Sequence, residues 1–457
     1  MYDRYSFLPE AAKGICDQSP NVDRLCRSSR EAVRRRVGLL LAILVLAIPA
    51  GALRAGGLYL YEIGTRDAGL ASAGWAARAD DAGTLATNPA GLARLTQPEL
   101  IVGAQPLYLD LEFDPDENTT VSGSDGHPAS WIPSGGLFYA RPVNDRWAWG
   151  VGVYGNFGLG IDYGTGWVGR YYVDEVTLQA LAFQPTLSFR ISDRWSIGAG
   201  IVGLYGVLDQ RARVRNLEPG TPDGRLKIDD EQFEFTGNFG LLYEPATSTR
   251  FGLQYLMETK LEFEDNPRFT GIGPLLSQVL ENAGLVGAEL GLDLTYPNRL
   301  ILSGYHEVDD RWAVMGNLGW DQWSEFGKVD VLVAGEDTTT LTFDRNYEDT
   351  WHAAVGAEYR RSNRWRFSGG IAYDSSPVKD RYRTPDMPVG EAWRFGVGAE
   401  YRLREGLTIS GTYALVWSGD LDMDVDRGPF AGRVSGKYSD TAIHALGLVF
   451  NWKYGGR

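Results

Sequence analysis

Cysteine and histidine are scarce in this chain of 457 residues, which narrows the chemistry available to it. Both cysteines, Cys16 and Cys26, precede an apolar run near the N-terminus that is typical of a secretory signal peptide. Removal of that peptide leaves a mature chain without thiols, which excludes disulfides, thiolate catalysis and cysteine-based metal sites. The four histidines show no zinc-motif spacing. We therefore expect no metal site and no cofactor.

Positive charge and long apolar runs are also in short supply. The 44 Lys and Arg face 59 Asp and Glu, giving a net charge of -15, which argues against a nucleic-acid partner. The one long apolar run, Val37–Ile48, is too short for a comfortable transmembrane helix. Three arginines precede this run and small residues follow it, as in a signal peptide. We predict an N-terminal extension and signal peptide over residues 1–55, with cleavage after Ala52 or Ala55.

Glycine and aromatic residues are abundant, and most of the chain alternates apolar and polar residues. The runs Trp312–Trp320, Trp393–Tyr401 and Leu446–Tyr454 place every second side chain on one apolar face. Each is long enough to cross an outer membrane when tilted. The pattern predicts about 14 strands, at 98–112, 133–142, 147–156, 176–191, 195–208, 230–244, 250–263, 297–307, 312–324, 340–360, 365–376, 391–403, 406–418 and 440–454.

Short and long connections alternate between these strands. Four short turns are near-copies that end in Arg-Trp, which suits periplasmic turns with the tryptophan at headgroup level. They are Asn144-Asp145-Arg146-Trp147, Ser192-Asp193-Arg194-Trp195, Asp309-Asp310-Arg311-Trp312 and Ser362-Asn363-Arg364-Trp365. The long connections are predicted at 113–132, 157–175, 208–228, 264–295, 376–390 and 419–438.

The stretch Gly64–Leu95 differs from the rest because it has no sustained period of two. It is rich in Gly and Ala, and Asn88-Pro89 breaks the chain direction. Such a small-residue segment fits inside a confined space. The fold class predicted is all-β: a transmembrane antiparallel β-barrel, residues 98–457, with a small N-terminal hatch (plug), residues 56–97, inside the lumen.

The same stretch resembles the N-terminal hatch of the FadL/TodX family of outer-membrane transporters for fatty acids and hydrocarbons. The resemblance rests on Glu62, Gly69, Gly74, Ala79-Asp80-Asp81-Ala82-Gly83 and Asn88-Pro89-Ala90. It implies a barrel of 14 strands and covers nearly the whole mature chain. The hatch residues assigned from this segment are Asp80, Asp81, Asn88, Pro89, Ala90 and Gly91.

Gly155-Asn156-Phe157-Gly158 ends the third predicted strand. Glycine within a strand marks a bulge or a bend. The family has a kinked third strand that opens a gap in the wall, and this run matches its position. The resemblance therefore implies lateral exit here, while an ordinary exit from strand to loop is the alternative.

Apolar residues at spacings of three and four predict short helices in the connection 264–295. They include Leu275, Leu276, Val279 and Leu280. One interpretation is packing against a neighbouring loop. The other is an outward-facing groove that first captures an amphipathic ligand, and the resemblance supports this interpretation.

Charged residues of both signs fall among the strands and must face the lumen rather than lipid. They include the arginines Arg366, Arg394 and Arg402. They could form a paired network that anchors the plug. Alternatively, one arginine could receive a ligand carboxylate, which a guanidinium matches in a bidentate way. The sequence does not distinguish which of the three arginines would receive the carboxylate.

These observations predict a passive transporter for hydrophobic compounds, foremost long-chain fatty acids, in the outer membrane of a Gram-negative bacterium. Expected partners are hydrophobic small molecules and membrane lipid, and the protein is expected to be a monomer. The alternatives are a monoaromatic hydrocarbon channel and a general diffusion porin. No enzyme is expected, although an outer-membrane lipase would need a Ser–His pair, for which His352 and Ser368 are the candidates.

Overall fold

The computed structural model describes residues 59–282, 286–287, 289–326, 328–334 and 339–455. The predicted signal peptide and the first three hatch residues, 56–58, lie outside the described residues. The strands are β1 (Glu99–Ala104), β2 (Leu107–Pro115), β3 (Ala129–Ile132), β4 (Gly135–Pro142), β5 (Trp147–Asp162), β6 (Glu175–Arg190), β7 (Trp195–Val214), β8 (Gly224–Ala246), β9 (Thr249–Leu256), β10 (Thr259–Asp265), β11 (Arg268–Thr270), β12 (Glu289–Tyr296), β13 (Arg299–Glu307), β14 (Trp312–Asp321), β15 (Lys328–Ala334), β16 (Thr339–Asp344), β17 (Thr350–Arg360), β18 (Trp365–Asp374), β19 (Ala392–Arg404), β20 (Leu407–Asp426) and β21 (Arg433–Lys453).

Helices are few and short in the described residues. The α-helices are Thr84–Thr87, Pro274–Asn282, Trp323–Phe326 and Gly428–Ala431, and the 3-10 helices are Arg66–Leu70, Pro89–Arg94 and Asp380–Tyr382. None of these helices is long and apolar enough to cross a membrane.

The barrel wall is a closed antiparallel sheet of 14 strands, as the sequence predicts. The last strand, β21, pairs with β20 on one side and with β1 on the other. The first wall strand consists of β1 and β2, and the second consists of β3 and β4. Closure gives the first and the last wall strand a partner on both sides, so neither of them presents a free edge to lipid.

The four Arg-Trp turns close hairpins at one end of the barrel. In the first of them the N–H of Val143 donates to the carbonyl of Trp147 at 2.8 Å. The side-chain oxygen of Asn144 accepts from the N–H groups of Arg146 and Trp147, both at 2.9 Å. A short polar residue thus supplies the turn's acceptor, which explains why Asn, Ser or Asp opens every copy.

Large apolar side chains alternate outward along the wall, where a membrane barrel meets lipid. The exposed set includes Trp195, Phe239, Trp312, Trp351, Phe395 and Leu446. Residues between them are small or polar and face the lumen. Outward apolar and inward polar residues are the arrangement of a transmembrane barrel.

The hatch fills the lumen near the Arg-Trp turns and packs against glycine positions of the wall. A Cβ at Gly370 would lie 1.9 Å from the carbonyl oxygen of Leu70, and one at Gly252 would lie 1.9 Å from that of Ala76. A Cβ at Gly198 would lie 2.3 Å from the carbonyl carbon of Pro89. Backbone approaches backbone at these points, so the abundance of glycine reflects plug packing as well as strand bending.

Several wall strands extend beyond the predicted limits at the other end of the barrel. β7 and β8 enclose only residues 215–223, and β20 and β21 enclose only 427–432, so the predicted connections 208–228 and 419–438 are too long. β5 likewise runs to Asp162 rather than stopping at Asn156. In the extensions of β7, β8 and β20 the outer face is charged, for example at Asp209 and Lys227, which lie 3.4 Å apart. The inner face stays apolar, for example at the buried Leu208 and Leu421, so the apolar outer face ends although pairing continues.

A second sheet of four strands, β10, β12, β15 and β16, stands at this loop end. The predicted strand 340–360 is therefore wrong, because β16 and β17 belong to different sheets. Asn346 lies between them with φ of 54°, a left-handed conformation that ends a strand. The predicted strand 312–324 ends at Asp321, and Trp323–Phe326 is helical instead.

Candidate functional site: a hatch, a luminal cavity and a bulge in the wall

Two arginines and three aspartates hold the hatch to itself and to the wall. Arg78 pairs with Asp67 at 2.9 Å and with Asp80 at 3.1 Å. Arg66 pairs with Asp80 and also reaches Glu358 of β17 at 2.8 Å. Asp81 accepts from the N–H of Gly83 at 3.0 Å, which fixes the turn that follows. The doubled acid is thus a structural element of the plug.

Burial and neighbouring charge shift the pKa of Asp80 in opposite directions. Burial alone would raise the pKa of Asp80, but Arg66, Arg78 and Arg366 lower it well below its ordinary value. The Asp80 carboxylate stays ionised at every pH at which an outer membrane functions. The ion pairs that Asp80 makes with Arg66 and Arg78 therefore persist across that range.

Asn88-Pro89-Ala90-Gly91 is the part of the hatch that docks on β8. The side-chain amide of Asn88 donates to the carbonyl oxygens of Ala76 at 2.6 Å and Leu241 at 3.1 Å. Its side-chain oxygen accepts from the N–H of Ala90 at 3.0 Å and so caps the helix that begins at Pro89. A Cβ at Gly91 would lie 2.1 Å from the hydroxyl of Thr84. The four residues act as one docking unit.

A second charged network joins the start of the hatch to the wall strands β17, β18 and β19. Arg394 of β19 reaches both carboxylate oxygens of Glu62, at 3.0 and 3.2 Å, and also pairs with Asp374. Asp374 accepts from Nδ1 of His352 at 2.6 Å, and Nε2 of His352 meets the hydroxyl of Ser72 at 2.9 Å. Every member is buried. The two terminal members of this network, Glu62 and Ser72, thus both belong to the hatch.

Tyr61 covers this network. Its ring stacks on His352 with centroids 4.6 Å apart, and the guanidinium carbons of Arg299 and Arg394 lie 4.5 and 4.9 Å from its centroid. Arg299 in turn pairs with Asp321 at 2.7 Å. The sequence shows these inward charges but not their pairing, because the partners come from strands far apart in the chain.

The distances among Ser72, His352 and Asp374 are those of a catalytic triad, but a substrate could not reach the serine or the histidine. Ser72 is fully buried and His352 is 2% exposed under the ring of Tyr61. Ser368, the serine considered from the sequence, lies instead beside Gly69 and Gly398. This geometry fastens the plug to the wall. Among the described residues no group of three or more His, Cys, Asp and Glu is arranged to hold a metal ion.

A cavity lies between the hatch and the loop end of the barrel. Its empty volume, including the part open to solvent, is about 860 Å³. Leu60 and Glu62 of the hatch border it, and the segment Pro388–Gly390 borders it from the loops. Among the described residues that line it, Arg394 is the one cation. The aliphatic part of the lining comprises Leu107, Leu109, Leu111, Ile132, Leu159, Ile161, Val416 and Ile443.

The third wall strand carries a bulge at the predicted glycine-rich kink. The register of β5 against β6 shifts between Gly155 and Phe157, which leaves Asn156 as the extra residue. On its other side β5 pairs with β4 only as far as Tyr154, and no pairing of β5 with β3 occurs within described residues 129–162. The wall beyond the bulge therefore lacks one ladder of hydrogen bonds.

The first residues of the hatch are attached to this bulge. The N–H of Leu60 donates to the carbonyl of Asn156 at 3.3 Å, and Tyr59 bridges to Phe157. The side-chain amide of Asn156 donates to the hydroxyl of Tyr296. Gly158 and Leu159, just beyond the bulge, line the cavity. Cavity, hatch and bulge thus form one connected site.

The loop residues predicted as one groove face two directions. Leu275, Leu276, Val279 and Leu280 do lie on one helix, Pro274–Asn282. Leu276 is 2% exposed, whereas Leu275 and Val279 are 52% and 43% exposed. Leu276 does not share the outward face of Leu275 and Val279, because those two lie four residues apart on one side of the helix, whereas Leu276, next to Leu275, points to another side. Leu275 and Val279 remain together as an apolar pair on the outward face.

The three candidate arginines also separate in space. Arg394 borders the cavity, and Arg366 joins the hatch network through Asp80 at 3.4 Å. Arg402 is exposed at the end of β19 and is not among the cavity residues. Only Arg394 combines luminal burial with access to the apolar space.

Comparison with known proteins defines the class of this barrel. A family model described as outer membrane protein transport protein (OMPP1/FadL/TodX) matches residues 46–454. The chain therefore belongs to this family of outer-membrane proteins, and the resemblance noted from the hatch motif is confirmed.

Individual relatives agree with this assignment. The chain is 28% identical over 380 residues to the long-chain fatty acid transport protein of Escherichia coli O6:H1, covering 76% of this chain and 83% of that protein. It is 28% identical over 433 residues to a 47 kDa outer membrane protein of Pasteurella multocida, covering 90% of this chain and 96% of that protein.

Solved structures share the fold at low sequence identity. A Pseudomonas aeruginosa FadL homologue superposes with a TM-score of 0.78 at 19% identity, covering 88% of this chain and all of that one. The toluene transporter TodX of Pseudomonas putida superposes with a TM-score of 0.64 at 15% identity, covering 88% of this chain and 99% of that one.

Proposed function

We propose that this protein carries long-chain fatty acids across the outer membrane by passive diffusion. The observation that supports this function is the aliphatic cavity above the hatch with a single guanidinium, that of Arg394, in its lining. An acyl chain gains about 0.8 kcal/mol for each methylene removed from water, so an apolar lining suits it. The guanidinium matches a carboxylate headgroup. The fatty-acid relatives named above support the same substrate class.

The route has three stages in this proposal. Exposed Leu275 and Val279 offer an apolar contact on the loop side, where an amphipathic ligand arrives. The ligand then enters the cavity, whose lining continues to Leu159 beside the bulge of β5. It leaves sideways into the bilayer where β5 and β3 are not paired. No stage requires an energy source, because the ligand stays in apolar surroundings throughout.

Arg394 couples the ligand to the hatch. In the closed state Glu62 occupies the guanidinium with both carboxylate oxygens, so it holds the place that a fatty-acid headgroup would take. A ligand carboxylate that displaces Glu62 frees the segment that begins at Tyr59. That segment also holds Asn156 through the N–H of Leu60, so its release loosens the bulge.

Uptake of monoaromatic hydrocarbons is the second candidate. Arg394 is already paired with two carboxylates, Glu62 and Asp374, so the cavity carries no unbalanced positive charge. A neutral ligand needs no exchange of partners there. A general diffusion porin fits less well, because the hatch fills the lumen that a water-filled channel needs.

A binding titration on detergent-purified, ligand-stripped protein tests the proposal. Oleate should bind saturably and more tightly than toluene. Arg394→Gln should weaken oleate binding by about tenfold, since a hydrogen bond to a charged group contributes roughly 1.5–3 kcal/mol. Arg402→Gln, which removes an exposed charge outside the cavity, should leave oleate binding unchanged. Binding of toluene alone would favour the hydrocarbon function, and binding of neither ligand would contradict both.

A further inference from the structure

The four Arg-Trp turns form a repeated surface that the transport route does not use. Each places an exposed arginine directly before an exposed tryptophan at the end of the barrel that holds the hatch. Trp147, Trp195, Trp312 and Trp365 are 40%, 42%, 46% and 41% exposed. We call Arg146, Arg194, Arg311 and Arg364 the rim arginines.

The backbone that carries the rim arginines is fixed in the same way in all four turns. The strand N–H before each turn donates to the tryptophan carbonyl, at 2.8–3.0 Å. The side-chain oxygens of Asp309 and Ser362 accept from the N–H groups of the arginine and tryptophan that follow, as Asn144 does. Ser192 accepts from the N–H of Arg194 at 3.3 Å. The arginine and the tryptophan therefore leave each turn as an ordered pair.

The rim arginines differ from the luminal ones in having no carboxylate partner. No ion pair within 4.0 Å occurs for Arg146, Arg194, Arg311 or Arg364 in the part of the chain that the structure describes. Three of the turns do carry an aspartate next to the arginine. The fourth, Ser362-Asn363-Arg364, has no acid and is preceded by the exposed Arg361. The rim arginines are therefore available to bind an anion, although the net charge of the protein is -15.

We propose that the rim arginines bind the phosphates of anionic phospholipids in the inner leaflet of the outer membrane. Short turns of such barrels face the periplasm, and interfacial tryptophans lie at headgroup level. A guanidinium one residue from such a tryptophan is at the height of the phosphates, which it can hold by two hydrogen bonds. The turn of Arg361 and Arg364 provides the strongest contact, because no acid opposes it. This inference goes beyond transport and does not depend on which ligand the cavity takes.

Native mass spectrometry of the folded full-length barrel can test the proposal, with dioleoylphosphatidylglycerol and dioleoylphosphatidylcholine as competing probes. The wild type should retain phosphatidylglycerol in preference. The quadruple variant Arg146→Gln, Arg194→Gln, Arg311→Gln, Arg364→Gln should lose most of that preference, a change of tenfold or more, since each cation near an anionic surface contributes roughly fivefold. A control variant with Arg268, Lys379, Arg381 and Arg427 changed to Gln removes the same charge at the loop end and should keep the preference.

Three results would overturn the proposal. The rim variant could retain the wild-type preference, the loop-end control could lose it equally, or millimolar inorganic phosphate could displace the lipid and show that free phosphate is the ligand. Heat-modifiable migration on gels verifies that each variant is a folded barrel. Oleate binding measured on the same samples separates this proposal from the transport function, because it should be equal in all of them.

Discussion

Arg394 is the luminal residue to which our proposal assigns contacts with both the plug and the ligand. The sequence leaves two interpretations open for its charge, anchoring of the hatch or reception of a carboxylate. The structure places the guanidinium between Glu62 and Asp374 and beside the aliphatic cavity. The structure shows Arg394 paired with Glu62 of the hatch, and in our proposal a ligand carboxylate takes the place of Glu62.

The substitution Glu62→Gln tests whether Glu62 and a ligand carboxylate compete for Arg394. The amide keeps the shape of Glu62 but removes the anion that competes for Arg394. Oleate should then bind about tenfold more tightly, close to the lower end of the roughly 1.5–3 kcal/mol that one charged hydrogen bond contributes. Toluene affinity should not change. Calorimetric titration of both ligands measures this, with Glu231→Gln on the exposed part of β8 as the control. Equal oleate affinity in Glu62→Gln and wild type would contradict the exchange.

At the scale of elements, β5 is the strand at which we propose that the wall opens. A bulge at Asn156 turns Phe157 inward, and the strand beyond it runs without a partner on the β3 side. Glycine at 155 and 158 predicts a bend here. It does not predict that the hatch itself would attach to the bulge through Leu60.

Deletion of Asn156 should close this exit. Without the extra residue β5 pairs with β6 in continuous register, and Leu159 no longer faces the cavity. Oleate binding should persist, while uptake into vesicles should fall by at least about tenfold. Exposure of even two methylenes on another path costs about 1.6 kcal/mol, or roughly fifteenfold.

Gly411→Ala is the matched control for this deletion. An added methyl there meets nothing within 4 Å, so both binding and uptake should stay at wild-type levels. Undiminished uptake in the deletion variant, with the barrel folded, would rule out lateral exit at the bulge.

At the scale of the whole molecule, the hatch converts a barrel into a closed channel. Wall glycines admit its backbone to within contact distance, two charged networks tie it to β17, β18 and β19, and Asn88 ties it to β8. A water-filled path through the lumen is therefore blocked while these contacts hold.

Asn88→Ala should loosen the plug without preventing barrel assembly. The change removes two donated bonds and one accepted bond, and each buried group left without a partner costs about 1–3 kcal/mol. Planar-bilayer recordings should show frequent openings where the wild type is nearly silent. Thr96→Ala, at an exposed position of the hatch, should remain silent. A silent Asn88→Ala variant would show that the docking unit does not control the lumen.

The strands that cross the membrane were predictable because one face meets lipid and the other meets the lumen, so the pattern repeats every second residue. The prediction failed where that asymmetry ends. In the extensions of β7 and β8 charged residues such as Asp209 and Lys227 replace the apolar ones on the outer face. Asn346 separates β16 from β17 by a backbone turn within a run that reads as strand. The helix Pro274–Asn282 was predictable, but which of its leucines would be covered depended on neighbours in space.

The sequence by itself determined the family, the closed barrel, its short turns and the identity of the plug, because these depend on local patterns and on one contiguous motif. The tertiary structure alone decided the site. Glu62, Ser72, His352, Asp374 and Arg394 are separated by up to 332 positions, and they meet because closure of the sheet brings the wall strands β17, β18 and β19 around the hatch. Pairing of buried charges across such distances is selected by packing, which no local pattern records.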